Sequence, residues 1–453
     1  MIDLKILSTV VENHLCTECG TCSGICPTDA LPMRETAGGQ VLPSLIESKC
    51  IECGLCDLVC PELVLPARFE SSLQEPFEGP IRAAFLARAS DRATELAGQA
   101  GGLGRELIAW CLEAGHIDGA VIVVDDPTEP LRPKSLIVTD PQQIRSASRS
   151  KYCPIPVNAL ILQMMRFEGR LAYVGLSCHM QGLELAMERI RKLRNKVVLR
   201  VGLFCDRVLT YPAAEFLTRC AGASETGTVR KFDYRGKEWQ GWPGDIRVIT
   251  EDGREHNAPR AARAGSRALF TPVHCWLCPD KLNVLCDVAL GDPHGVVQGR
   301  SVPTAVLART EAGLALLRAA EAAGRIELVP TDPAPIVAGQ NIRDNTEIAR
   351  ASGRAMARRG FDLPEVLKRG PLEAGRGRTP RWVRLAIWWS IESQRPWGIR
   401  LLRALPTWEP RAWMWFKSGP RKRYRWFVAV LRRLILTGRL RQDPGTSSTS
   451  SGA

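Results

Sequence analysis

The chain has 453 residues, 45% of them hydrophobic, and a formal net charge of +13. That length predicts two or three domains, and the apolar content excludes a disordered chain. No stretch reaches the ~18 uncharged apolar residues of a membrane span, and the opening MIDLKILSTVVENHLC lacks a basic n-region, a long apolar core and a cleavage site, which predicts a cytoplasmic protein.

The first element is a module over residues 1–75, expected as a small α+β domain. Cys16, Cys19, Cys22 and Cys26-Pro27 form C-x2-C-x2-C-x3-C-P, and Cys50, Cys53, Cys56 and Cys60-Pro61 repeat it. In such runs the fourth cysteine ligates the other cluster. Cys16, Cys19, Cys22 and Cys60 would therefore hold one 4Fe–4S cluster, and Cys50, Cys53, Cys56 and Cys26 the second. Gly20, Gly24 and Gly54 allow positive φ and close backbone approach. Disulfides would need an oxidising compartment, and zinc sites are usually pairs of C-x2-C. The module resembles a two-cluster bacterial ferredoxin.

Arg68 to Pro80 reads as a linker. Residues 81–365 then alternate β-branched runs with helical patterns, which predicts an α/β domain. AVIVV (Ala120 to Val124), SLIVT (Ser135 to Thr139), RLAYVG (Arg170 to Gly175) and KVVLRVGLF (Lys196 to Phe204) read as buried strands. Gly104 to Gly115 and His179 to Leu193 read as helices between them.

Eight cysteines lie beyond the first module. Cys178 and Cys205 follow predicted strands, and Cys275 and Cys278 form a C-x2-C; together they could hold a third 4Fe–4S cluster. A structural zinc at Cys275 and Cys278 is the alternative. Cys153 and Cys286 are rivals for ligation, while Cys111 and Cys220 read as structural.

The positive charge is local. Between Glu373 and Arg441 there are 17 Lys and Arg against 3 Asp and Glu, with 8 of the 12 tryptophans. The segment 373–441 is expected as a helical, basic extension, and 442–453 as a disordered tail. Within it, Trp426, Phe427, Val430, Leu431 and Leu434 fall at helical spacing between arginines. A basic, tryptophan-rich amphipathic helix suits the headgroup boundary of an anionic membrane. That predicts peripheral contact with the cytoplasmic membrane face, directly or through a partner. The alternative is a folded extension that packs its tryptophans on the body. Nucleic acid is not expected.

Residues 81–365 resemble the beta subunit of coenzyme F-420-reducing hydrogenase. The matching stretches are AGQAGGLGRELIAWCLEAGHIDGAVIV, SRSKYC, YVGLSCHMQGL, VGLFCD, KFDYRGKEWQGWPG and HCWLCPDKLNVLCDVALGDPHG. That family includes F-420H2 dehydrogenase input subunits and ferredoxin-dependent vinyl-chlorophyllide reductases. The full ferredoxin pair looks like that of the input subunits. The resemblance implies FAD, a third 4Fe–4S cluster on Cys178, Cys205, Cys275 and Cys278, and often a deazaflavin substrate. It favours Gly101, Gly102 and Gly104 for the FAD phosphates, since a glycine turn at a helix N-terminus presents free amides. Lys151 and Tyr152 could contact the flavin. Asp292 could orient a ribose or flavin hydroxyl, or cap a turn. Arg235 and Lys237 could meet an acidic substrate tail, or face solvent. Two departures stand out: Ser177 where the family commonly has proline, and Gly98, Gln99 and Ala100 where it has a serine-rich approach.

Three functions fit. One is a flavin oxidoreductase passing electrons between a hydride carrier, reduced coenzyme F-420, and 4Fe–4S clusters, then to a redox partner or membrane acceptor. The others are a ferredoxin-dependent reductase of an organic substrate and a non-catalytic electron-transfer subunit. No G-x-G-x-x-G with an acidic residue ~20 later follows a strand, which disfavours NADH.

Overall fold

The computed structural model describes residues 2–74, 77–147, 149–223 and 228–405. The expected amphipathic helix around Trp426 and the tail 442–453 lie outside them.

The N-terminal module is a small α+β unit. Strands β1 (Met33–Glu35) and β2 (Val41–Pro43) pair antiparallel between the two cysteine runs. The internal repeat is visible in the backbone. Glu18 and Glu52 both take left-handed φ (61° and 52°), and Gly20 and Gly54 (81° and 70°) each cap a short helix that carries the third cysteine of the run. Gly24 is glycine for another reason: a Cβ there would sit 1.9 Å from the Asn158 carbonyl oxygen. The module is thus packed hard against the rest of the chain.

The expected linker is not loose. Ala67–Glu70 forms a helical turn, Phe69 and Phe77 are buried edge to face, and Arg68 pairs with Glu184 at 3.2 Å. Burial of these two aromatic rings ties the segment to the body.

The body is built on an eight-stranded mixed sheet. Its strands are β3 (Ala83–Ala89), β4 (Gly119–Val124), β5 (Lys134–Val138), β6 (Leu171–Gly175), β7 (Val197–Leu203), β11 (Val288–Gly291), β12 (Thr304–Ala308) and β13 (Ile326–Pro330). The order is β13-β3-β12-β11-β7-β6-β4-β5, with β11, β7, β6 and β4 parallel. All four predicted strands are present. Ser135 to Thr139 differs in one respect: β5 is an edge strand and mostly half-exposed, because its outer side has no neighbour. The helices Leu103–Glu113 and Ser177–Arg189 start at the predicted places, but the second ends at Ile190 and a separate helix follows over Arg191–Lys196. A meander of β8 (Val229–Gly236), β9 (Asp245–Thr250) and β10 (Glu255–Ala258) was not expected from sequence.

The basic extension begins as folded structure. Helix Arg381–Glu392 packs on the helices Arg260–Phe270, Val273–Leu277 and Ile342–Ala357, and helix Pro396–Arg403 packs on Pro212–Cys220. Trp389 is 2% exposed and donates its indole N–H to the Leu269 carbonyl at 2.9 Å. Trp276 donates to Ser390 Oγ at 3.1 Å. As far as Leu405, the reading of tryptophans packed on the body is the correct one. The membrane reading is left to the segment beyond.

Candidate functional site

The thiols gather where short helices and strand ends meet. Cys16, Cys19, Cys22 and Cys60 are electrostatic neighbours: burial first, then mutual repulsion, pushes the thiols of Cys16, Cys22 and Cys60 well up. Buried thiols in such company ionise only against a compensating positive centre. Of the second set, Cys56 is buried, Cys50 half-buried and Cys53 exposed. Cys26 behaves differently. Burial works against its ionisation, but amides of Thr28, Ala30 and Leu31 and the Thr28 hydroxyl outweigh it and hold the thiol below its ordinary value.

Four more thiols ring a small cavity of about 60 Å³: Cys178 at the start of the helix after β6, Cys205 past the end of β7, and Cys275 and Cys278 around the helix Val273–Leu277. Burial raises each thiol, that of Cys278 to about 12. For Cys178 the next cause is Cys19, so this group abuts the first thiol group. Among the described residues, no three His, Cys, Asp or Glu are drawn together tightly enough to hold an ion.

The rivals separate. Cys286 is fully buried and turns its Sγ onto the Asn283 carbonyl at 3.0 Å. Cys153 lines the cavity wall but lies beside Tyr234, with burial lifting its thiol to about 12. Cys111 belongs to the apolar core, and Cys220, itself half-buried, ends the mostly buried helix Pro212–Cys220.

A second cavity of about 830 Å³ adjoins the first; Leu176, His179, Cys205 and Arg207 line both. One end is the N-terminus of the helix Leu103–Glu113. Gly102 caps it at φ 69°, and a Cβ there would meet the Thr94 carbonyl oxygen at 2.4 Å. Gly102 and Gly104 line the cavity. Gly101 turns away: its N–H donates to the Val302 carbonyl at 2.9 Å and its own carbonyl accepts from Ala89 at 2.7 Å. It shapes the loop without offering an amide.

Lys151 and Tyr152 also line this cavity. Lys151 pairs with Asp125. Tyr152 lies edge to face with Tyr234, and the Arg263 guanidinium sits over its ring, 5.4 Å from the centroid. Asp292 is no mere turn cap. Its carboxylate meets Arg235 at 2.7 Å and the Trp242 indole N–H at 3.2 Å. Burial opposes its ionisation, but Arg235 and His294 hold it below the usual carboxylate range. Arg235 is 4% exposed, so it does not face solvent. Lys237 is drawn down to about 8 by burial and by Arg149, Arg105 and Arg235.

Sequence reasoning missed much of this lining. Arg105, Arg149, Arg207 and Arg267 make it cationic, and Gln99 presents a buried Oε1 with no partner. It also missed an acid–imidazole group between the thiol sets. Burial lifts the Glu18 carboxyl to about 7, and His274 Nδ1 lies 3.9 Å from it. No local spacing marks these residues, because they come from separate elements.

A ferredoxin-type module on an α/β body with internal thiol groups defines an iron–sulfur protein of the electron-transfer class. Residues 15–64 match the 4Fe-4S dicluster domain. Residues 84–161 and 168–334 match the N-terminal and C-terminal parts of the coenzyme F420 hydrogenase/dehydrogenase beta subunit. The chain belongs to that family of beta subunits. It is 26% identical over 266 residues to the coenzyme F420 hydrogenase subunit beta of Methanosarcina barkeri, covering 57% of this chain and 86% of that one. It is 25% identical over 309 residues to an F(420)H(2) dehydrogenase subunit of Methanosarcina mazei, covering 68% and 82%. A solved chain in the F420-reducing [NiFe] hydrogenase complex of Methanosarcina barkeri superposes with a TM-score of 0.52 at 22% identity, over 66% of this chain and 99% of that one. That likeness concerns the fold.

Proposed function

We propose that the protein is an iron–sulfur flavoprotein that moves electrons between a hydride carrier, reduced coenzyme F420, and 4Fe–4S clusters, and from them to a partner protein. The observation that carries this reading is the wall common to the two cavities. A space large enough for a dinucleotide lies directly against four clustered thiols.

The residues fit a flavin dinucleotide. The helix N-terminus at Gly102 and the surrounding guanidinium groups suit a pyrophosphate. Gln99 Oε1 lacks a donor that a ligand would supply. Lys151 and Tyr152 occupy the same wall, and Arg235 and Asp292 form a fixed polar pair there. When bound, a flavin supplies the conversion between a two-electron hydride and single electrons, and the clusters carry the single electrons. The chain's own work is positioning. Backbone amides and arginines hold anionic groups, and buried apolar walls exclude water. Cys178, Cys205, Cys275 and Cys278 would hold the cluster beside the cavity, with the ferredoxin pair beyond it. The exposed Cys53 marks the outer end, where a partner would dock.

The test is anaerobic. The reconstituted protein should contain about twelve irons, as three four-iron clusters, and one flavin. Reduced coenzyme F420 should bleach the flavin and then reduce the clusters, while NADH should act poorly. Rapid bleaching by NADH and none by reduced F420 would overturn the hydride-carrier assignment. Full iron without flavin would favour a non-catalytic electron carrier.

A further inference from the structure

We propose that Lys281 is the resident counter-cation of the thiol group Cys178, Cys205, Cys275 and Cys278, and that it raises the reduction potential of the cluster held there. This rests on the third-cluster reading above. Lys281 lines the same small cavity as the four thiols and is 6% exposed. Its Nζ donates to the Asp206 backbone carbonyl. A buried ammonium is retained only against a compensating charge. The nearby carboxylates offset that charge only in part: Asp206 is shared by Arg207, Lys281 and Arg267. Asp206 is gripped by Arg207 at 2.9 and 3.1 Å and approached by Arg267 at 3.1 Å. Asp280 accepts the amides of Asn283 at 2.8 Å and Val284 at 3.3 Å. Glu62, on the same wall, lies in the field of His274 and Lys368.

Ligated as thiolates, the four cysteines would add further negative charge to that cavity. Lys281 shares that cavity wall with all four thiols, and its backbone carbonyl accepts the Cys205 N–H at 3.0 Å. Arg207 differs from Lys281 because its charge is matched by its own bidentate carboxylate. Four thiolates around a 4Fe–4S core carry net negative charge, and reduction adds one electron with no bond made or broken. A fixed cation in the wall of the same cavity favours the reduced form, and low local dielectric strengthens the effect.

The test is a redox titration of the holoprotein with dithionite and mediators, read by low-temperature electron paramagnetic resonance. Lys281→Gln should shift one of the three cluster midpoints negative by a tenfold or larger change in the reduction equilibrium, about 59 mV for one electron. The other two midpoints should stay in place, and Lys281→Arg should keep the native value. Selective loss of about four irons in the Gln variant alone would support the same charge compensation, read through cluster retention. An unchanged midpoint with full iron in Lys281→Gln, or iron loss in both variants, would overturn the proposal. Wild-type protein with about eight irons would instead reject the third cluster itself.

Discussion

Removing the C-terminal helices should damage the body of the protein. Val383, Ile387, Trp389, Ile391, Leu401 and Leu402 are each at most 3% exposed. Full burial of such a side chain contributes about 1.5–3 kcal/mol, so together they represent on the order of 9–18 kcal/mol before the entropy of ordering the segment is subtracted. A whole domain is stable by only about 5–15 kcal/mol. Deletion also strips the cover from Trp276 and leaves three buried hydrogen bonds unmade. Trp389→Ala isolates the effect. It should cost about 3–5 kcal/mol through the cavity, with more from the unsatisfied Leu269 carbonyl, and Trp389→Phe should cost less. Anaerobic urea titration followed by far-ultraviolet circular dichroism reads the midpoint. Truncation after Leu372 should lower it sharply or yield aggregate. A Leu372 truncation with native midpoint, flavin and iron would refute the packing argument.

Truncation after Leu405 keeps these helices and removes the segment around Trp426; if that segment binds membrane, the variant should move to the soluble fraction in low salt while wild type does not. Arg235→Met should cost about 3–5 kcal/mol, because it strands a buried carboxylate, and the double change with Asp292→Asn should recover part of it in the same urea titration. Lys237 lies behind the lining, in the field of Arg149, Arg105 and Arg235, and loses its charge as pH rises through about 8; an anion bound in the cavity favours its charged form. Affinity for a phosphate-bearing flavin should therefore fall between pH 7 and 9, and Lys237→Met should flatten that profile in fluorescence-quenching titrations.

The cysteine runs were legible because their chemistry demands short, fixed spacing. The central strands were legible because a parallel sheet covered on both faces needs continuous apolar runs, as in β4 and β6. The wall of the larger cavity was not. Arg105, Arg207, Arg235 and Arg267 come from separate elements, and in sequence each is an ordinary arginine. The extension misled for a related reason. Trp389 beside basic residues reads as an interfacial anchor, yet its place is decided by a carbonyl on Leu269, far away in sequence. Gly24 reads as a site of close backbone approach and does admit the Asn158 carbonyl, whereas Gly101 reads as a phosphate contact and instead fits against β3.

The join between the two modules depends on contacts of this hidden kind. Asn158 is fully buried, and its amide nitrogen donates to Thr21 Oγ1 at 2.8 Å and to the His179 carbonyl at 2.9 Å. Its backbone N–H reaches the Cys19 carbonyl at 3.0 Å, and its side-chain oxygen accepts from Tyr173. Thr21 Oγ1 lies 3.2 Å from Cys19 Sγ, and His179 directly follows Cys178. One side chain therefore ties a cysteine of the first thiol group to the turn that carries a cysteine of the third. A buried network with its members satisfied is rigid. Tyr173 comes from the middle of the sheet, so the spacing between the groups is held by the best-packed part of the body. Were clusters held on both thiol groups, as proposed, their separation would be set by the fold itself and not by a tether between domains.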